Sequence, residues 1–79
     1  MDSIELLKKL GGKFGKECKI GVTTGDTYSG LYYGAEAFDA EAPLVVKLRI
    51  SATEAQRIGV PSDMRVIGIA YDVITDVEI

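Results

Sequence analysis

The sequence predicts a mainly β domain: a short N-terminal helix followed by a five-stranded, strongly bent antiparallel barrel. Three observations carry that expectation. Leu44, Val46, Leu48 and Ile50 alternate with Val45, Lys47, Arg49 and Ser51, which is the period of a half-buried strand. Two further alternating runs, 18–22 and 27–33, flank Thr24-Gly25-Asp26, the residue types of a tight turn. The second run has Gly30 in its interior, where a glycine weakens a strand and so marks a bend or a close backbone approach.

The elements follow in order. Asp2 with Glu5 three residues later fits a capping box, and Ile4, Leu7 and Leu10, with Leu6 beside them, recur at helical spacing. A helix over about 3–10 results, and Gly11-Gly12 stops it. The barrel then occupies about 15–79, with strands near 16–23, 26–34, 43–51, 64–71 and 73–79. Residues 34–43 read as an acidic loop of small residues. Residues 51–59 read as one helical turn or two, capped by Ser51 or Thr53 and ended by Gly59, with a turn at 60–63 after it. The run 64–71 is apolar on both faces, so both faces are expected to be covered. In the last strand Val73, Thr75, Val77 and Ile79 share one face. Ile20, Val22, Leu44, Val46, Leu48, Val66 and Val77 form the expected core. Tyr32 and Tyr33 point to opposite faces, so at most one of them belongs to it.

Seventy-nine residues make one domain, 1–79. A domain of this size buries only about 60% of its unfolded surface, which makes self-association a natural supplement to its core. Cys18 is the only cysteine, so no internal disulfide can supply it, and with no histidine a zinc site is not expected. A lone cysteine alternating with Ile20 and Val22 reads as a small core hydrophobe. The absence of histidine also removes Ser/His and Cys/His catalysis, and a small filled barrel offers no cleft for a carboxylate pair. No enzyme activity and no cofactor are therefore expected. Asp39, Glu41 and Asp63 lack the spacing of a calcium loop. No apolar run reaches a membrane span, and Lys8 and Lys9 interrupt the N-terminal apolar segment, so a cytoplasmic protein without signal peptide or membrane partner is expected.

The net charge of −3 argues against broad nucleic-acid affinity, but its distribution is uneven. Residues 1–19 set five lysines (8, 9, 13, 16 and 19) against three acids, a balance of +2. Residues 20–79 set four basic residues against nine acids, a balance of −5. Either the lysines are an ordinary solvated helix face, or they form a weak electrostatic contact for a polyanion.

At residues 15–36 the sequence resembles the Sm/Lsm family. Gly15-Lys16-Glu17-Cys18-Lys19-Ile20-Gly21-Val22 matches that family's first-strand rhythm of Gly-Lys followed by alternating apolar residues. Gly25-Asp26-Thr27-Tyr28-Ser29-Gly30-Leu31-Tyr32-Tyr33-Gly34 is similar to its second strand, where a glycine two residues after an aromatic permits the bend. Leu44-Val45-Val46-Lys47-Leu48 looks like the third strand, and Val73-Ile74-Thr75-Asp76-Val77-Glu78-Ile79 like the closing one. The resemblance covers most of the chain and marks it as a divergent member with an SH3-like, Sm-like barrel.

The resemblance implies a homo-oligomeric ring of about five to seven subunits, joined strand to strand through a fixed rotation. It also implies single-stranded RNA as a partner, but two departures weaken that expectation. Pro43 stands where the family's loop before the third strand carries Asn, and no Arg-Gly precedes the last strand. In the longer loop, Glu36 or Asp39 stands for the family's Asp, and Phe38 is the aromatic able to stack on a base or to anchor the loop on the barrel. The candidate RNA-binding residues are thus Glu36, Phe38 and Asp39 in the loop and Lys8, Lys9 and Lys13 on the basic side. The other reading is a protein-interaction or structural module on an SH3-like barrel that binds no nucleic acid.

Overall fold

The computed structural model describes residues 2–37 and 44–79. Helix α1 (Ser3–Leu10) leads into strands β1 (Glu17–Val22), β2 (Thr27–Ala37) and β3 (Leu44–Arg49). Helix α2 (Ala52–Ile58), strand β4 (Val66–Ala70), a 3-10 turn (Tyr71–Val73) and strand β5 (Ile74–Glu78) complete the chain. The strands form one antiparallel sheet in the order β4-β3-β2-β1-β5. Its two end strands are β4 and β5, and among the described residues no ladder joins them into a closed barrel.

Both helices start and stop where local chemistry dictates. The Asp2 carboxylate accepts from the Ile4 N–H at 2.7 Å, satisfying a donor that α1 itself leaves unpaired. Ser51 caps α2 by accepting from the Glu54 N–H at 3.1 Å, and Gly59 ends it. The buried face of α1 is Leu6 and Leu10, one turn apart, whereas Ile4 and Leu7 are exposed. Helical spacing alone placed Ile4 and Leu7 with Leu10. Leu6 and Leu10, an i, i+4 pair, are the ones that enter the core cluster.

The core contains Ile20, Val22, Val46, Leu48, Ile50, Ile69, Ile74 and Val77, with Tyr32 as the one buried aromatic among the described residues. Leu44 packs against its margin. Val66, expected inside, is 39% exposed. It opens the edge strand β4, so only one side of that strand is covered, by Ile69 and in part by Ile67. In β5 the inward residues are Ile74 and Val77 instead of an alternating set, because the register against β1 slips between Gly21 and Val22. That bulge places one extra residue in β5 and moves the inward positions three apart.

Strand β2 runs to Ala37, three residues beyond its expected end at 34. The ladder with β3 pairs Tyr32 with Leu48 and Ala35 with Val46, so Tyr33 and Gly34 together face the single residue Lys47. Gly34 takes φ +103 at this bulge, a conformation that a β-carbon disfavours. The sharp irregularity of β2 therefore lies at Gly34. Gly30 serves the other purpose, a close approach: a β-carbon there would lie 2.6 Å from the Arg49 carbonyl oxygen.

The first part of β2 is paired with β1, and its ladder to β3 begins only at Leu31. Side chains of α2 cover the open stretch. Glu54 Oε2 accepts the Ser29 N–H at 2.7 Å, and Arg57 Nη2 donates to the Thr27 carbonyl oxygen. Arg57 also donates through Nη2 to Glu54 Oε2 at 2.9 Å, so the two side chains form one unit. Carboxylate and guanidinium supply the acceptor and donor that a neighbouring strand would offer. The hydrogen bond from Arg57 holds the Glu54 carboxyl below the usual carboxylate range; desolvation opposes this, and the Ser29 N–H and the Arg57 charge add to the lowering.

A folded-state pKa below the unfolded one gives stability that is fully present above the unfolded value and lost as the pH falls through the folded value. Glu54→Gln should therefore lower the melting temperature at neutral pH and reduce its further fall on acidification through the carboxylate range. Melting curves of wild type and variant that stay parallel from pH 7 to the acid range would show that the carboxylate charge contributes nothing here.

Candidate nucleic-acid interface

The basic residues lie on α1 and the segment that joins it to β1. Lys8 and Lys9 occupy the last turn of α1, where a positive charge complements the helix dipole. Lys13 and Lys16 follow in the connection, and all four side chains are exposed. None of them forms an ion pair with a described residue; the described pairs are Lys47 with Glu36 and Arg57 with Glu54.

The connection is pinned onto the sheet. The Lys13 N–H donates to the Leu10 carbonyl and the Lys16 N–H to the Lys13 carbonyl, closing two successive turns. The Gly15 N–H donates to the Tyr32 carbonyl at 2.8 Å, and the Tyr32 N–H to the Lys16 carbonyl at 2.9 Å. These two bonds continue the β1–β2 ladder past its end. They hold Phe14 over β2, with its ring 5.4 Å from that of Tyr33 and 6.4 Å, nearly edge-on, from that of Tyr32. Tyr32 is buried, whereas Phe14 and Tyr33 are 66% and 42% exposed.

Of the loop candidates, Glu36 lies within β2, paired in register with Val45, and not in a loop. Its carboxylate meets Lys47 Nζ at 2.7 Å across the β2–β3 ladder, an exposed pair worth roughly 0–1 kcal/mol. Phe38 and Asp39 lie outside the described residues. Lys8 and Lys9 lie in the last turn of α1 and Lys13 three residues beyond its end, and the next residue, Phe14, lies beside Gly34, two positions before Glu36. The sequence alone does not reveal the aromatic pair. Its signal is Lys13-Phe14-Gly15-Lys16, an aromatic set between lysines, but the partner ring arrives from β2 and no local pattern reveals it.

Cys18 is buried in the core, and desolvation raises its thiol pKa, which disfavours the reactive thiolate. No cluster of three His, Cys, Asp or Glu side chains able to hold a metal occurs among the described residues. No helix among them is long and apolar enough to cross a membrane. A groove of about 570 Å³ runs along β4, lined mainly by Val22, Tyr28, Ile58, Val60, Val66 and Ile69. No family model matches the chain, and neither a curated protein nor a solved structure is significantly similar to it.

Proposed function

We propose that this chain is a cytoplasmic, non-catalytic Sm-like protein that assembles into a homo-oligomeric ring and contacts single-stranded RNA weakly, on the side of α1. The strand order is the observation that supports the reading. β4 and β5 stand at opposite ends of one five-stranded sheet. Unpaired strand edges invite pairing with another chain, and pairing the fourth strand of one subunit with the fifth of the next gives a ring where the rotation closes. The N-terminal helix and the glycine-marked second strand fit the same resemblance.

Sedimentation equilibrium tests the assembly. The expected result at micromolar concentration is one species of about five to seven times the 8.5 kDa chain mass, the closed ring of a head-to-tail interface. A single species at 8.5 kDa ends the ring reading. RNA affinity is expected to be weak and to fall steeply with salt, since counterion release dominates a lysine-based contact. The second reading, a protein-interaction module, draws on the apolar groove along β4, whose lining includes the exposed Val66 and Met64. Under it the chain is inert toward oligonucleotides at any salt concentration.

A further inference from the structure

We infer that Phe14 and Tyr33 form a base-stacking platform, flanked by Lys13 and Lys16, for single-stranded nucleic acid. This inference rests on the RNA reading above and gives it a location. Phe14 is 66% exposed and Tyr33 42%, and the pair contributes little to the core that Tyr32 already fills. Phe14 is nevertheless restrained by its neighbours. Phe14 touches both tyrosines, and backbone bonds from Gly15 and Lys16 to Tyr32 hold its segment in place. A rigid exposed aromatic surface loses little entropy when a flat ligand lies on it.

Charge selects the occupant. Lys13 and Lys16 lie one and two positions from Phe14, and Lys8 and Lys9 end the preceding helix. These four cations have no acidic partner among the described residues. Exposed rings bordered by unpaired lysines suit a chain of phosphates bearing flat bases, which is how sequence-tolerant single-strand binders work. The rings stand 5.4 Å apart at 33°, already in contact, so a base stacks on their open faces and not between them. Bases of every type have such a face, so the platform predicts little preference between uridine and adenosine.

The test is fluorescence anisotropy of the full chain with labelled uridine and adenosine oligomers over a range of salt concentrations. Phe14→Ala should weaken binding by about 5- to 150-fold without changing the salt slope, because it removes stacking and no charge. Phe14→Tyr should bind like wild type. The pair Lys13→Gln and Lys16→Gln should lower the slope of log affinity against log salt by about 1.4, roughly 0.7 for each single-strand phosphate that a lysine no longer neutralises. Thermal melts check that the exposed substitutions leave the fold intact.

Wild-type affinity in Phe14→Ala, with the lysine variant impaired, overturns the platform and leaves the electrostatic reading standing. Equal losses in Phe14→Ala and Phe14→Tyr also overturn it, since a tyrosine ring stacks as well. A change in sedimentation of Phe14→Ala without oligomer overturns it too and assigns the rings to a protein contact. No binding by wild type at low salt removes the RNA reading and the platform with it.

Discussion

Gly30→Val sharply lowers the denaturation midpoint: that is the expected result at the described glycine whose β-carbon would come closest to backbone. A β-carbon on Gly30 would lie 2.6 Å from the Arg49 carbonyl oxygen and 3.2 Å from Ile50 Cγ2. The first contact is with backbone. A crowded side chain can rotate away, but the Arg49 carbonyl sits where β3 gives way to the capping residue of α2. Its displacement would move Ser51 from the helix it caps and Glu54 from the β2 edge it covers. Overpacking a rigid site costs about 1–3 kcal/mol and occasionally more, against a total of ~4–12 kcal/mol for a domain of this length. Urea denaturation followed by circular dichroism measures the effect, with Gly30→Ala as the smaller step. A wild-type midpoint for Gly30→Val would mean that the β2–β3 approach is much looser than the structure has it.

Leu48→Ala should cost about 2–5 kcal/mol, the range for truncating a fully buried leucine. Leu48 is 0% exposed and lies in the middle strand of the β4-β3-β2 half of the sheet, in register with Tyr32 on one side and Ile67 on the other. Its cross-strand neighbours are held in register by two ladders, which limits how far they can close on the space left by the lost carbons. Equilibrium denaturation measures the loss, and a value under about 1 kcal/mol would show that this face of β3 does not pack as described.

The parts of the fold legible in the sequence are those decided locally. Asp2 and Ser51 announce their helices because a capping side chain bonds to backbone within its own turn. The strand β3 is legible because its core face, Val46 and Leu48, alternates without interruption. The misplacements share a different cause. Val66 is apolar by composition, but whether an apolar residue is covered depends on what lies beyond the edge of the sheet, and β4 has no described strand paired there. Ile74 is buried because of a bulge that two strands create together, and the periodicity of either strand alone does not contain it. Glu36 reads as loop because Gly34 and the small residues after it resemble turn chemistry, whereas that glycine serves a bulge inside a strand. The basic half of the candidate interface was legible as a run of lysines. The Phe14–Tyr33 contact was not, because its two rings are brought together only by the ladder that pins Gly15 and Lys16 to Tyr32.

In the proposed ring, the charged clasp of Glu54 and Arg57 on β2 would set the valence of the molecule. Among the described residues, three stretches of this sheet have no strand beside them: the outer edges of β4 and β5, and the portion of β2 before Leu31 on its β3 side. The clasp occupies the third through Ser29 and Thr27 and leaves two. Units with two attachment points can join only into lines or closed circles, whereas units with three branch into networks without a defined end. On this view the two side chains act less as a brace for one subunit than as a limit on how many neighbours it can acquire, and that limit separates an assembly of finite size from a gel.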